Sequence, residues 1–569
     1  MENQSQSQKT TKTSRRKILI LSAAASLLLA AAVSVAAILS GSTSAAVSVH
    51  HEVVRSTCAA TLYPDLCFST IQAAAPAAGA IRTAKDVLFA ALNYTIYTVE
   101  RNYFTVRSTG SRRRSYLTAR EVGALHDCLE VIGDTLAELR ESEAELRDFG
   151  YRNYSLPEHR DHLITLLSAA QTNQESCLDG FSHDGADKKI RRSLEAGQRH
   201  VFKLVSNVMA IIANLSDTEA AVTGGRPERN LAGIDGEWPE WLSAGDRRLL
   251  QAGTVPADLT VAADGSGNYR TVAAAVAAAP SGSSRRFVIR IRAGVYRENV
   301  EIPRGKTNLM FVGDGRTTTI ITASRSVVGG STTFNSATVA VIGTGFLARD
   351  ITFQNTAGPS NHQAVALRVN ADLVAFYRCD MLAYQDTLYV HSLRQFYSGC
   401  IIAGTVDFIF GNAAAVFQDC DIHARRPNPG QSNMVTAQGR DDPNQNTGIV
   451  IHRCRIGATS DLRPVQSSFP TYLGRPWQEY SRTVVMQTEI SNVIQPAGWY
   501  EWNGNFALDT LFYAEYANTG AGAGTANRVT WRGFRVLRSA SEAEPFTVGR
   551  FIAGGSWLAA TGFPHRLGL

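Results

Sequence analysis

Asp386 stands in AYQDTLYVH (residues 383–391) and Asp407 in TVDFIFG (405–411), each among apolar and aromatic neighbours. Charged side chains are rarely buried without a partner. Two carboxylates in such company therefore point to chemistry. Close carboxylates cannot both ionise cheaply, so one stays protonated while the other is an anion. One can then act as an acid and the other as a nucleophile or base, a division of labour that serves hydrolysis. Gln385 precedes Asp386, and Gln363 lies 23 residues before it. Glutamine amides can donate hydrogen bonds to a developing oxyanion. Arg475, in YLGRPW (472–477), could hold one aspartate as its anion through a bidentate pair. Trp477, Phe410 and Tyr389 could line a groove, and aromatic faces suit sugar rings.

Taken singly, each residue has an ordinary role. Asp and Asn populate solenoid turns, glutamines form ladders, a lone arginine makes surface pairs worth little, and aromatics pack. Register sets these residues apart. Cys379, Cys400 and Cys420 are spaced by 21 and 20 residues, and Asp386 and Asp407 each follow a cysteine by seven. In coils of that length such positions stack on adjacent rungs about 4.8 Å apart.

The elements around them fit such coils. From residue 259 short β-rich runs recur, many ending in Gly, Asn or Asp, and repetition near 20–25 residues predicts a solenoid. GFLARDITFQNTAG (345–358), ADLVAFYRCDMLAYQDTLYV (371–390) and RQFYSGCIIAGTVDFIFG (394–411) read as successive coils of a right-handed parallel β-helix. Cys400 could pair with Cys420 or with Cys379; the spacing leaves both open.

Residues 50–217 have a different texture. Leu125, Leu129, Ile132, Leu136 and Leu139 follow a helical period, as do the apolar residues of 191–215. Long amphipathic helices with short links predict an antiparallel bundle. Residues 218–254 are rich in Gly, Pro and charge, a linker signature, and contain Arg247-Arg248 before Leu249-Leu250, a candidate processing site. Ahead of the bundle, Arg15-Arg16-Lys17 precede an apolar run over 18–39. Residues 1–49 thus read as a cytosolic tail with a signal peptide or signal anchor. In the secretory route the eight cysteines become disulfide candidates, and Asn93, Asn153 and Asn214 head glycosylation sequons.

Other chemistries lack their motifs. No Gly-x-Ser-x-Gly elbow, His-Glu-x-x-His pair, P-loop or Gly-x-Gly-x-x-Gly occurs. His362, His391 and His423 are isolated and read as structural. The formal net charge is +6. It lies in residues 251–569, which hold 28 Lys/Arg against 22 Asp/Glu. That favours a polyanionic neighbour.

GVYRE (294–298), QAVAL (363–367), YQDTLY (384–389), VDFIFG (406–411) and YLGRPW (472–477) resemble the signature segments of plant pectin methylesterases over residues 255–569. HDCLE (126–130) and LSAAQTNQESCLDGF (167–181) resemble the invertase/pectin methylesterase inhibitor domain. The resemblance implies an all-β right-handed parallel β-helix behind an all-α four-helix bundle. It implies hydrolysis of galacturonate methyl esters in cell-wall pectin, with no metal and no cofactor. Asp407 would be the nucleophile, Asp386 the proton donor and base, and Gln385 with Gln363 the oxyanion stabilisers. Arg475 would hold Asp407, while Thr333, Trp477, Phe410 and Tyr389 would meet the sugar. Expected bridges are Cys58–Cys67, Cys128–Cys177 and Cys400–Cys420. Expected partners are pectin, a processing protease and a proteinaceous inhibitor; no nucleic acid is expected, and a membrane only through the N-terminal segment. The expected location is the cell wall. A β-helix lyase or glycosidase, and a non-catalytic wall protein, are the alternatives.

Overall fold

The computed structural model describes residues 51–74, 81–113, 117–149, 155–182, 187–223 and 256–569. The N-terminal apolar run, Asn153 and the Arg247–Leu250 segment lie outside these residues. The chain divides into two compact units, one ending at Tyr94 and one spanning Thr95–Leu569.

In the first unit, helix α1 covers residues 51–59 and α2 covers Pro64–Ala74. Pro64 opens α2, where its fixed φ suits the first turn and its missing N–H is not needed. A disulfide joins Cys58 to Cys67 across the turn. Helix α3 (Ala84–Arg113) begins here and crosses into the second unit. Asp86 caps its start, accepting from the backbone N–H groups of Arg82 and Thr83 at 2.8 Å each.

The second unit continues with α4 (Ala119–Leu146), α5 (Leu156–Asp179) and α6 (Asp187–Thr223). A reciprocal Thr118–Glu121 capping box starts α4. Leu125, Ile132, Leu139 and Leu146 bury one stripe of it. Helices α4 and α5 run antiparallel: Glu145 meets His159 at one end, and a Cys128–Cys177 disulfide ties the other. From Leu163 to Leu178 every residue of α5 is buried, as befits a helix enclosed on all sides. Helix α6 runs on through Thr223, past Thr218, where the composition suggested a linker.

From Leu259 the chain winds into three parallel sheets of eleven, seven and eight strands. Their neighbours come from successive coils, which gives a right-handed parallel β-helix. The seven-stranded sheet contains β1 (Val300–Ile302), β2 (Val339–Val341), β3 (Leu367–Asn370), β4 (Leu388–Ser392), β5 (Ile409–Gly411), β6 (Asn433–Gln438) and β7 (Thr471–Pro476), paired in that order. Inside the coil, Phe376 stacks on Tyr397 at 5.1 Å and Tyr397 on Phe417 at 4.6 Å, with planes 7° and 10° apart. Each such ring removed from water stabilises the fold by about 2–3 kcal/mol.

Cys379, Cys400, Cys420 and Cys454 form a second inward column, because Asp380, Ile401, Asp421 and Arg455 pair in register. The expected Cys400–Cys420 bridge is absent; all four thiols are free and buried. Side chains stacked on parallel strands point the same way, whereas a disulfide needs its two sulfurs turned toward each other at a dihedral near 90°. Here Cys400 Sγ donates to Phe376 O at 3.5 Å and Cys420 Sγ to Tyr397 O at 3.4 Å. Burial raises the pKa values of Cys379, Cys400 and Cys420 well above the ordinary range, so these thiols stay neutral and inert.

Candidate active site

The pairings Leu388↔Ile409 and Tyr389↔Phe410 set β4 beside β5. Asp386 and Asp407 each precede these strands by two residues and so occupy matching corners. Asp386 N–H donates to Val406 O at 3.0 Å across the corner. Both aspartates adopt left-handed backbone, with φ of 61° and 51°, a conformation that Asp tolerates better than most residues. Gln363 enters one coil earlier, where Ala364 N–H donates to Gln385 O at 3.2 Å. Arg475 comes from β7, opposite Ala437 of β6. Its neighbour Gly474 leaves room for that approach: a Cβ there would meet Thr436 Oγ1 at 2.1 Å.

The spacing argument therefore holds in three dimensions. Asp386, Asp407, Gln363, Gln385, Arg475, Thr333, Trp477, Phe410 and Tyr389 all line one cavity of about 380 Å³. Arg475 grips Asp407 through two parallel bonds, Nε to Oδ1 at 2.8 Å and Nη2 to Oδ2 at 2.6 Å. Burial alone would lower the pKa of Arg475, but the bonds and charge of Asp407 outweigh it and raise it. Asp386 has no such partner. Its carboxyl is pushed well above the usual range, first by burial and then by the charge of Asp407, against a smaller pull from Arg475. One carboxyl thus favours its proton, and the other faces a fixed cation. The side-chain oxygen of Gln385 is buried without a partner, so this amide is not spent on structure.

Aromatic rings form the walls. Tyr389 stacks on Phe410 at 4.2 Å, and Phe410 lies 6.0 Å from Trp477. Sequence reasoning missed Trp502, whose ring lies 4.3 Å from the Arg475 guanidinium, and Phe334, which lies under Arg368 at 3.4 Å. Trp502 sits in the long connection between the strands Glu489–Ile490 and Phe512–Tyr516, where no repeat pointed to it.

It also missed the covering helix. Ser176 and Asp179 of α5, with Gly180 and Ser182, line the same cavity. Ser176 Oγ bonds His391 Nε2 at 2.8 Å. Burial pushes His391 down to about 3, so its ring is neutral. Farther along α5, Gln171 donates to Asp442 at 3.1 Å, and Asn412 donates to Thr172 at 2.8 Å. Helix α4 adds Asp127, which accepts from Thr332, and Asp134, which pairs with Arg304 at 2.8 Å. Burial, then the neighbouring Glu175, raises Asp179 to about 7.

Two family models match the chain. Residues 258–555 match the pectinesterase family model, and residues 52–211 match that of the plant invertase/pectin methylesterase inhibitor. Pectinesterase 3 of Citrus sinensis is 63% identical over 524 residues, covering 91% of this chain and 89% of that protein. The chain belongs to the pectinesterase family. It is therefore a carboxylic ester hydrolase. The Arabidopsis thaliana pectinesterase/pectinesterase inhibitor 3 is 62% identical over 541 residues, covering 91% of each chain. The pectinesterase part is also similar to the solved pectin methylesterase from carrot, at 74% identity and a TM-score of 0.55. That match covers 56% of this chain and all of the carrot chain, so the inhibitor-like helices lie outside it. Of the sequon residues, Asn93 and Asn214 lie exposed on helices α3 and α6 of the pectinesterase chain.

Proposed function

We propose that this pectinesterase hydrolyses the C6 methyl esters of galacturonate in pectin through the two stacked aspartates. Asp407 attacks the ester carbonyl carbon, and the carbonyl electrons move onto oxygen. Gln385 and Gln363 donate to that oxyanion. As the tetrahedral intermediate collapses, the C–O bond to the methoxy group breaks and Asp386 supplies the proton that makes methanol. Asp386, now a carboxylate, takes a proton from water, and the resulting hydroxide attacks the acyl-Asp407 carbonyl. A second collapse releases the free galacturonate carboxylate and restores Asp407. Arg475 positions Asp407, while Thr333, Trp477, Phe410 and Tyr389 shape the sugar site. The observation that carries this reading is the contrast between the aspartates: burial favours the protonated form of Asp386, and Arg475 fixes Asp407 through two bonds.

The helical region restrains this activity while it covers the cavity. The chain enters the secretory route through its N-terminal apolar segment, is glycosylated at Asn93, Asn153 and Asn214, and is cut at Arg247–Leu250 to free the enzyme at the cell wall. Methanol release from methylated pectin tests both statements. The form cut at Arg247–Leu250 and separated from its helices should release methanol at least tenfold faster than the full chain. Equal rates would remove the restraint, and no methanol from either would remove the reaction.

A further inference from the structure

A second cavity, of about 790 Å³, opens on the outer face of the eight-stranded sheet. Arg297 and Arg325 both line it, and both are exposed. Neither guanidinium pairs with a described carboxylate, whereas Arg290 and Arg316 nearby pair with Asp314 and Asp380. Glu298, the carboxylate of the same cavity, is already spent on the backbone N–H groups of Val272 and Ala273 at 2.7 and 2.9 Å. The floor includes Val295, exposed and apolar. Gln354 adds an amide whose oxygen accepts from Thr322 at 3.3 Å, with its nitrogen bonded to no described residue. A pair of free guanidinium groups, an amide donor and an apolar patch suit a ligand with carboxylates, hydroxyls and a C–H face.

Its position is equally informative. Ser331 lines this cavity, and the next residue, Thr332, lines the catalytic one. One segment of chain is thus the partition between them. The N–H of Val327 in this segment donates to Gln363 O at 3.0 Å, fixing it to the catalytic wall. No residue of α4 or α5 lines the second cavity, so the helices that cover the first leave it open.

We propose that this cavity is a distal binding site for de-esterified galacturonate, holding the free carboxylates of a chain already processed. The proposal deepens the methylesterase reading and rests on it for the choice of uronate. Guanidinium groups bind carboxylates through direct, often bidentate bonds, and a methyl ester offers them no charge. The site therefore selects product over substrate and keeps a demethylated stretch beside the catalytic cavity.

The test is isothermal titration of the full chain with trigalacturonate, its trimethyl ester and neutral maltotriose. Trigalacturonate should bind at least tenfold more tightly than either of the other two. Arg297→Gln with Arg325→Gln should weaken its binding at least tenfold, and each single change should give part of that loss. Both side chains are exposed and unpaired, so the thermal transition should not move. The double variant should still release methanol from a short methylated oligomer at the parent rate once cut and separated from its helices. Equal binding of trigalacturonate to parent and variant, no binding to the parent, or equal binding of maltotriose would overturn the site. Binding through Arg297 and Arg325 without methanol release from pectin would sink the reaction and leave the site standing.

Discussion

Rung stacking places Phe376, Tyr397 and Phe417 in one column inside the coil, and Asp386 and Asp407 in another on its face. The geometry is the same in both columns, with one coil above the next in register. The inner column repeats like with like, so each ring finds a flat neighbour and the result is stability. On the face, two like charges on neighbouring rungs would repel. The chain answers with burial at Asp386 and with Arg475 at Asp407. A repeat that only packs when its residues are apolar becomes reactive when they titrate.

Two changes test this contrast, and a third tests the cover over the reactive column. The largest effect is expected at Asp407. Asp407→Asn should lower kcat for methanol release by about 10⁴-fold. It also leaves Arg475 without its counter-charge, at a cost of about 3 kcal/mol in unfolding free energy. A variant that keeps full activity would end the nucleophile assignment. Phe376→Ala breaks the other column. It should cost about 3–5 kcal/mol by chemical denaturation, while kcat per folded molecule stays at the parent value. A fall in kcat of the folded fraction would mean that the two columns are not independent.

The smallest effect concerns the cover. Burial raises Asp127 from its ordinary 3.8 to about 6, against the Thr332 hydroxyl, Arg368 and His126, and with Glu130 adding to the rise. The covered state therefore binds the proton more tightly than the open one. Its stabilisation is complete below about pH 4 and is lost as pH rises to about 6, at most on the order of 3 kcal/mol. Relative to the separated enzyme, methanol release by the full chain should rise over that window. In Asp127→Asn the rise should be shallower; an unchanged slope would assign the pH dependence to other groups.

The coils were legible because cysteines and aspartates keep a spacing of 20 or 21 residues, and a spacing that survives two repeats fixes register. The helices were legible from apolar period, except that α6 outran its composition. Spacing alone could not reveal the redox state of the cysteine column, because it says which cysteines are neighbours and not how their sulfurs turn. The cover was hidden for another reason. Gln171, Thr172 and Ser176 are polar and follow no apolar period, and only the docked structure shows them buried, with Asp179 beside them lining the catalytic cavity. Trp502 lies outside any repeat and was invisible to periodicity.

The bonds from α4 and α5 to the β-helix do not depend on the peptide that joins them. Cutting that peptide leaves Ser176–His391 and Asp134–Arg304 in place. It changes only the order of the equilibrium. An intact chain holds its cover at an effective concentration set by the tether rather than by the bulk. After cleavage the same contacts must compete with dilution. On the proposed processing, a cut would by itself be silent, and the enzyme would emerge only as the two pieces drift apart.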